Sequence, residues 1–308
     1  MKLFNPFDFN DPVTYAIPGF VLLIVLEWYI RRRMKMRDMD YKEAAASIGM
    51  GLVSVVVDLG VKAVAIGFFL WLYQFRLFDN LGPADVAGFF DWSWHKAHWW
   101  VWVIAFFADD FSFYWHHRLS HEIRMLWATH INHHSSQQYN LATALRQSPM
   151  EYLYKKVWWI WMPLLGFHPF MILTLMQISL IYQFWIHTET IGKLGFLEKI
   201  FNTPSHHRVH HASDVEYLDK NYAGILIIWD RLLGTFAEEK HRPKYGITKN
   251  IHTYNLAEIT FHEAVNLWKD VKRADNVKDK VKYLLYAPGW SHDGADQRAS
   301  TLQKKMQK

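Results

Sequence analysis

The sequence predicts an all-α, multi-pass integral membrane protein with a cytoplasmic, histidine-rich helical cap built to hold two metal ions. Three observations lead there. Apolar runs of membrane-crossing length recur along the chain, and the first is followed at once by a block of arginines. Half of the 308 residues are hydrophobic and 17% are aromatic, yet mean hydropathy is −0.10, because the charges gather in particular stretches. Histidines recur at helical spacing, as "HINHH" at His130–His134 and "HHRVHH" at His206–His211. Residues at i, i+3 and i+4 share one face of a helix, so each trio is expected to aim its nitrogens at one point.

The first dozen residues lack the basic region, apolar run and cleavage site of a secretory signal. Val13–Ile30 is an 18-residue apolar run with a single acid, Glu27. That is enough to cross the hydrocarbon layer, which takes roughly 17–25 residues. Arg31, Arg32, Arg33, Lys35 and Arg37 follow and place the next segment on the cytoplasmic side. Ser47–Tyr73 forms a second run, in which Asp58 and Lys62 stand four apart and neutralise each other on one helix face. A third run, His98–Trp115, ends in Asp109 and Asp110 and returns the chain to the side where the histidines begin. Either aspartate is placed to accept an imidazole N–H or to lie at a hydrated helix end.

Val157–Ile186 is short for two full spans, and "GFHP" in its middle is a natural turn. A tilted or partly inserted hairpin there brings His187 and the second trio back beside the first. Tyr254–Ala274 reads as an amphipathic helix, and the last dozen residues read as a flexible tail. The organisation expected is an N-terminal transmembrane region (1–97), a catalytic region with the histidine motifs (98–236) and a C-terminal cytoplasmic helical segment and tail (237–308).

There is no cysteine, which excludes disulfides, thiolate zinc sites and iron–sulfur clusters. A net charge of +5 without a basic stripe or a nucleic-acid motif argues against a nucleic-acid partner. "YWHHRLSHE" adds a pair, His117 and His121, four apart. A lone HxxHH is a weak signal; two of them plus HxxxH on one expected membrane side is a strong one. Nine imidazoles are too many for one ion and suit two. Neutral imidazole serves iron, zinc, copper and nickel alike, so the ligand type leaves the metal open. Oxidising an unactivated C–H bond of a lipid chain calls for iron and dioxygen, whereas a zinc pair would suit a lipid hydrolase. His95, His98 and His168 read as structural, and His241, His252, His262 and His292 as solvated.

The ordered set HxxxH, HxxHH, HxxHH resembles the fatty acid hydroxylase and sterol desaturase superfamily of membrane di-iron oxidases. "HHSSQQYNLATALRQS", "YQFWIHTE", "NTPSHHRVHHA" and "DKNYAGILIIWDRLLGTF" resemble more specifically its alkylglycerol (glyceryl-ether) monooxygenase branch. The likeness covers about Ala105 to Phe236 well and the first 95 residues poorly. It implies that His117, His121, His130, His133, His134, His187, His207, His210 and His211 bind two iron ions at the cytoplasmic face. It further implies a membrane lipid and dioxygen as substrates, and an electron donor not identified from the sequence, with tetrahydrobiopterin suggested by the branch. Ether-lipid cleavage is the activity implied. A sterol, carotenoid or fatty-acyl hydroxylase or desaturase is the alternative within the class. Glu122, which follows the first motif as in that branch, is the catalytic candidate, through a hydrogen bond to a liganding imidazole. Some relatives carry a further histidine where this chain has Gln183. Asn221 and Asp230 read as supports of the site, and His116 and His206 as neighbours of it.

Overall fold

The computed structural model describes residues 12–81 and 97–307, and every regular element among them is helical. His95 lies outside the described residues. Helix α1 (Pro12–Arg33) and helix α2 (Tyr41–Tyr73) are the two described helices both long and apolar enough to cross a membrane. Their outward faces carry Val21, Leu22, Val25 and Leu26 on α1, and Leu52, Val56, Leu59 and Val64 on α2. Such a surface suits hydrocarbon and not water. Asp40 starts α2 by accepting from the backbone N–H groups of Lys42 and Glu43. Inside α2, Asp58 pairs with Lys62 as expected, at 3.5 Å, and also receives Lys156 from outside the helix.

Helix α3 (Trp99–Glu122) contains the third expected span, but it is not among the described helices both long and apolar enough to cross a membrane. Its aspartates do not lie at a hydrated end. Asp109 accepts from the Trp159 indole at 2.7 Å, and Asp110 accepts from the backbone of Ile225 and Leu226 and from the Trp229 indole. Neither accepts an imidazole N–H, because the two indoles and the 225–226 backbone take their lone pairs. One extended residue, Ile123, separates α3 from helix α4 (Arg124–His134).

Short helices α5 (Pro149–Lys155) and α6 (Trp161–Leu165) lead to a reversal at Gly166–His168. Gly166 has φ +120°, and a Cβ there would stand 2.1 Å from the Phe78 carbonyl oxygen, so the close turn requires glycine. Helix α7 (Pro169–Trp185) follows, with the His168 ring accepting from the Phe170 N–H as its cap. This is the expected hairpin, with a broken first leg. Helix α7 packs between α1 and α3, and Ser179 is buried by protein. Val101, Ala105, Trp159, Met162, Met171 and Ile172 form the main apolar core where α3 meets this hairpin.

The remaining helices are α8 (Pro204–His210), α9 (Ile228–Leu233), α10 (Leu256–Arg273), α11 (Val277–Leu285) and α12 (Ala299–Met306). The amphipathic α10 lies along α4, the carrier of the first trio. The tail is not loose as the sequence suggested. Asp296 accepts from Thr301 and Arg298, and Gln303 donates to the carbonyls of Val215 and Leu218, which pins α12.

Candidate metal centre

The ends of α3, α4, α7 and α8 converge and bring nine imidazoles together in two groups. His117, His121, His130, His134 and His210 make one; His133, His187, His207 and His211 make the other. Within each group the candidate ligand atoms lie within 4.8 Å of one another, and all nine residues are buried. The trios do not each aim at one point. Residues four apart stay together, as 117 with 121, 130 with 134, and 207 with 211, whereas His133 and His210 cross into the group opposite their neighbours. Adjacent residues are about 100° apart around a helix, so the doublets 133/134 and 210/211 straddle two points. The groups abut: the rings of His134 and His211 stack at 4.4 Å.

Nε2 of His130 stands 3.1 Å from Nε2 of His117 and 3.3 Å from that of His134. In the second group, Nε2 of His187 lies 3.1 Å from His133 and 2.9 Å from His207. Nitrogens held at about 2.1 Å from one ion at octahedral or tetrahedral angles would stand about 3.0–3.4 Å apart. The Nε2 atoms of His121, His210 and His211 are buried and have no hydrogen-bond partner. An unpartnered buried polar atom costs about 1–3 kcal/mol, and three across the two abutting groups fit a metal-binding role better than a packing fault. Burial holds His187 at about 4 and His210 at about 3. Burial and then neighbouring imidazoles hold His133, His134, His207 and His211 well below the usual range. They are therefore neutral, which is the form that binds metals.

The far ring nitrogens are steered largely by backbone. His117 Nδ1 donates to the Tyr222 carbonyl at 2.7 Å, His210 Nδ1 to Lys220 at 2.9 Å, and His187 Nδ1 to Gln183 at 2.6 Å. Such partners fix the tautomer that leaves Nε2 free to ligate. The 219–223 loop supplying two of them is itself held. Asn221, at φ 56°, donates to the His206 and Ala237 carbonyls, and Asp230 accepts from the Tyr222 and Ala223 N–H groups. Gly224 sits so close to the Phe113 ring that a Cβ would be 2.8 Å from it. The Gln147 amide nitrogen lies 3.3 Å from His133 Nδ1; with Nε2 on an ion that ring nitrogen carries the proton, and the flipped amide presents its oxygen to accept it.

Among the described residues two carboxylates face the grouped imidazoles, Asp219 at 3.6 Å from His121 Nδ1 and, within hydrogen-bond distance, one that the sequence pattern did not reveal. Glu151, from α5, accepts from His130 Nδ1 at 3.2 Å and from His116 Nε2 at 3.0 Å, so His116 is a neighbour of the first group through Glu151. No motif marked "PMEY"; only its place one turn into a helix that faces α4 makes it a partner. Glu122 instead accepts from Arg118 at 2.8 Å, one turn back on its own helix, and reaches no imidazole. His206 belongs to neither group and packs edge-on to Phe236. The Gln183 side chain turns away to Ser179, so the second group has four histidines where the first has five.

The membrane helix α1 reaches into this centre. Glu27, only 2% exposed, accepts from the Leu141 N–H and the Thr188 hydroxyl. Arg31 donates to the Tyr139 carbonyl and pairs with Glu189 at 3.3 Å. The first arginine of the basic stop is thus an internal strut beside His187.

Residues 102–235, which contain all nine histidines, match the model of the fatty acid hydroxylase family. The chain belongs to that family. Among curated relatives, the alkylglycerol monooxygenase of Homo sapiens is 39% identical over 286 residues, 91% of this chain and 60% of that protein. The alkylglycerol monooxygenase of Danio rerio is 38% identical over 92% of this chain and 59% of its own length. An ornithine lipid hydroxylase of Rhizobium tropici is 32% identical over 54% of this chain and 53% of its own. The chain therefore spans about three-fifths of the length of the alkylglycerol monooxygenases of human and zebrafish. No solved structure matches it significantly. For a fatty acid hydroxylase family member, the two buried histidine groups are consistent with a di-metal site.

Proposed function

We propose that this fatty acid hydroxylase family member is a membrane-bound, non-haem di-iron monooxygenase that cleaves glycerol ether lipids to a fatty aldehyde and a glycerol derivative. The observation that carries the reading is the pair of abutting, buried, all-imidazole groups with three unpartnered Nε2 atoms, in a chain whose relatives include alkylglycerol monooxygenases. In this reading His117, His121, His130, His134 and His210 hold one ion and His133, His187, His207 and His211 hold the other. Iron, when bound, supplies together with dioxygen the oxidising power to hydroxylate a C–H bond, and tetrahydrobiopterin is the donor that the resemblance suggests.

The chain's own residues set the rest. The Tyr222, Lys220 and Gln183 carbonyls, with Glu151, orient the imidazoles and keep Nε2 turned inward. The buried shell excludes water, which prevents loss of oxidising equivalents to solvent. Hydroxylation at the carbon beside an ether oxygen gives a hemiacetal, which collapses to aldehyde and alcohol without further catalysis. That carbon is the weakest C–H position of an alkyl ether because the oxygen lone pair stabilises the neighbouring radical. Glu122 bears on activity through Arg118, which also reaches the Tyr114 hydroxyl. In this reading helices α1 and α2 cross the bilayer with the histidines on the cytoplasmic side, a topology supported by the basic residues Arg32, Arg33 and Arg37 at and just after the end of α1.

The test is purified protein in lipid nanodiscs with ferrous iron, dioxygen and tetrahydrobiopterin, assayed for fatty aldehyde. An ether lipid turns over and its ester analogue does not, since the matching ester carbon is a carbonyl with no hydrogen to remove. Hydroxylation deep along a chain without aldehyde would keep the monooxygenase and sink ether cleavage. Ester hydrolysis without oxygen, at a site filled by zinc, would sink both.

A further inference from the structure

Beside the second histidine group lies a cleft of about 630 Å³, large enough for a polar headgroup. It opens where the end of α1 meets the start of α2 and the 242–254 segment. Its charges are unbalanced. Five cations line it, Arg31, Arg37, Arg146, Arg242 and Lys244, against three carboxylates. The carboxylates are committed. Asp40 caps α2 and accepts from Tyr254, Glu43 accepts from Ser136 and from the Gln137 N–H, and Glu189 is shared by Arg31 and Arg242. Among the described residues Arg37, Arg146 and Lys244 make no ion pair with a carboxylate, although Glu43 lies close enough to Arg146 to be felt. Arg146 is the telling one: it is 2% exposed, its Nε donates to the Asn132 carbonyl and the Ser135 hydroxyl, and its Nη1 has no acceptor. The buried Nε of Arg31 is likewise unpartnered.

Guanidinium groups and an ammonium that outnumber the carboxylates of the cleft, two of them with a buried N–H that has no acceptor, suit an oxyanion with several lone pairs. The cleft is also one side chain away from the histidines. The Tyr139 ring lies in its wall, 5.2 Å from the His211 ring on one side and stacked at 4.9 Å on Tyr245 on the other. We infer that the cleft binds a phosphate group, and specifically the phosphate on the headgroup of a lipid whose alkyl chain runs toward the histidines. The inference rests on the proposed lipid chemistry only for the direction of that chain; the anion site stands on its own lining.

The experiment measures binding to the full chain in an uncharged maltoside detergent, by isothermal titration, with three probes. These are a short-chain alkyl glycerophosphate, the matching uncharged alkylglycerol, and inorganic phosphate. The phosphate lipid is expected to bind about tenfold more tightly than the neutral one, with inorganic phosphate competing only weakly. The double variant Arg37→Gln/Lys244→Gln changes two exposed side chains and should fold normally; in it the preference should shrink to within about twofold. Equal binding of charged and neutral lipid by the unmodified protein would overturn the inference, as would a preference that survives in the double variant. Inorganic phosphate binding as tightly as the lipid would make this a site for the free anion and overturn the headgroup assignment. Because no turnover is involved, failure here is distinct from failure to form aldehyde.

Discussion

Replacing Glu151 by alanine should strip metal from the first histidine group while leaving the helices intact. The carboxylate is 4% exposed and accepts from two imidazole N–H groups, His130 Nδ1 at 3.2 Å and His116 Nε2 at 3.0 Å. Hydrogen bonds to a charged group contribute about 1.5–3 kcal/mol each. Only the His130 bond bears on the ion directly. Losing it frees that ring to rotate or to place its proton on Nε2, which removes a ligand. Losses of partners of this kind cost about 10–100-fold in metal affinity, or about 1.4–2.8 kcal/mol, in line with the loss of one such bond. Glu151→Gln should fall between, since its amide oxygen can accept from His130 while its NH₂ faces His116, which must then switch tautomer. The assay is metal content by mass spectrometry after dialysis against graded chelator, with circular dichroism as the check on folding. A folded Glu151→Ala protein that retains both ions as the unmodified protein does would refute the reasoning.

The remaining expectations concern ligands, topology and a turn. His133→Ala leaves three histidines in the second group and His210→Ala leaves four in the first, so both should abolish turnover, with the larger metal loss in His133→Ala. Metal-to-protein ratios read this, with the exposed His241→Ala as the unaffected control. Because the chain has no native cysteine, Gln137→Cys and Lys240→Cys, both exposed, can be labelled with an impermeant thiol reagent in sealed vesicles. Both should react from the same side; reaction from opposite sides would separate the histidine trios and end the shared site. Gly166→Ala should lower the melting temperature through about 1–3 kcal/mol of backbone strain plus the clash with Phe78, and an unchanged thermal-shift curve would contradict the turn geometry.

What could be read from the sequence was what repeats with the helix. The i, i+4 pairs mark the liganding faces, and the apolar runs mark α1, α2, α3 and the α7 leg. The division of the nine histidines into two groups was not legible from trios, because i+3 lies on the opposite side of i from i+4 in angle, and His133 goes its own way. The supports were invisible for a different reason. The Tyr222 and Lys220 carbonyls act through backbone, which any residue type supplies, and Glu151 becomes a partner only when α5 is laid against α4. Glu122 carried a family likeness, but its own helix offers Arg118 at the right spacing. In α1, Arg31 read as a topological signal, whereas its partner, Glu189, arrives from far along the chain.

The crossing of the doublets has a mechanical consequence. Helices α4 and α8 each serve both groups, so a rotation of either about its own axis draws ligands toward one ion as it pulls them from the other. Neither coordination sphere can be tightened alone, much as a key cut on both edges cannot be turned for one row of pins. The first ion to enter fixes the azimuth of both helices, and the second then meets ligands already set. Loading of the two sites should therefore be coupled, with the affinity for the second ion set by the azimuth that the first has fixed.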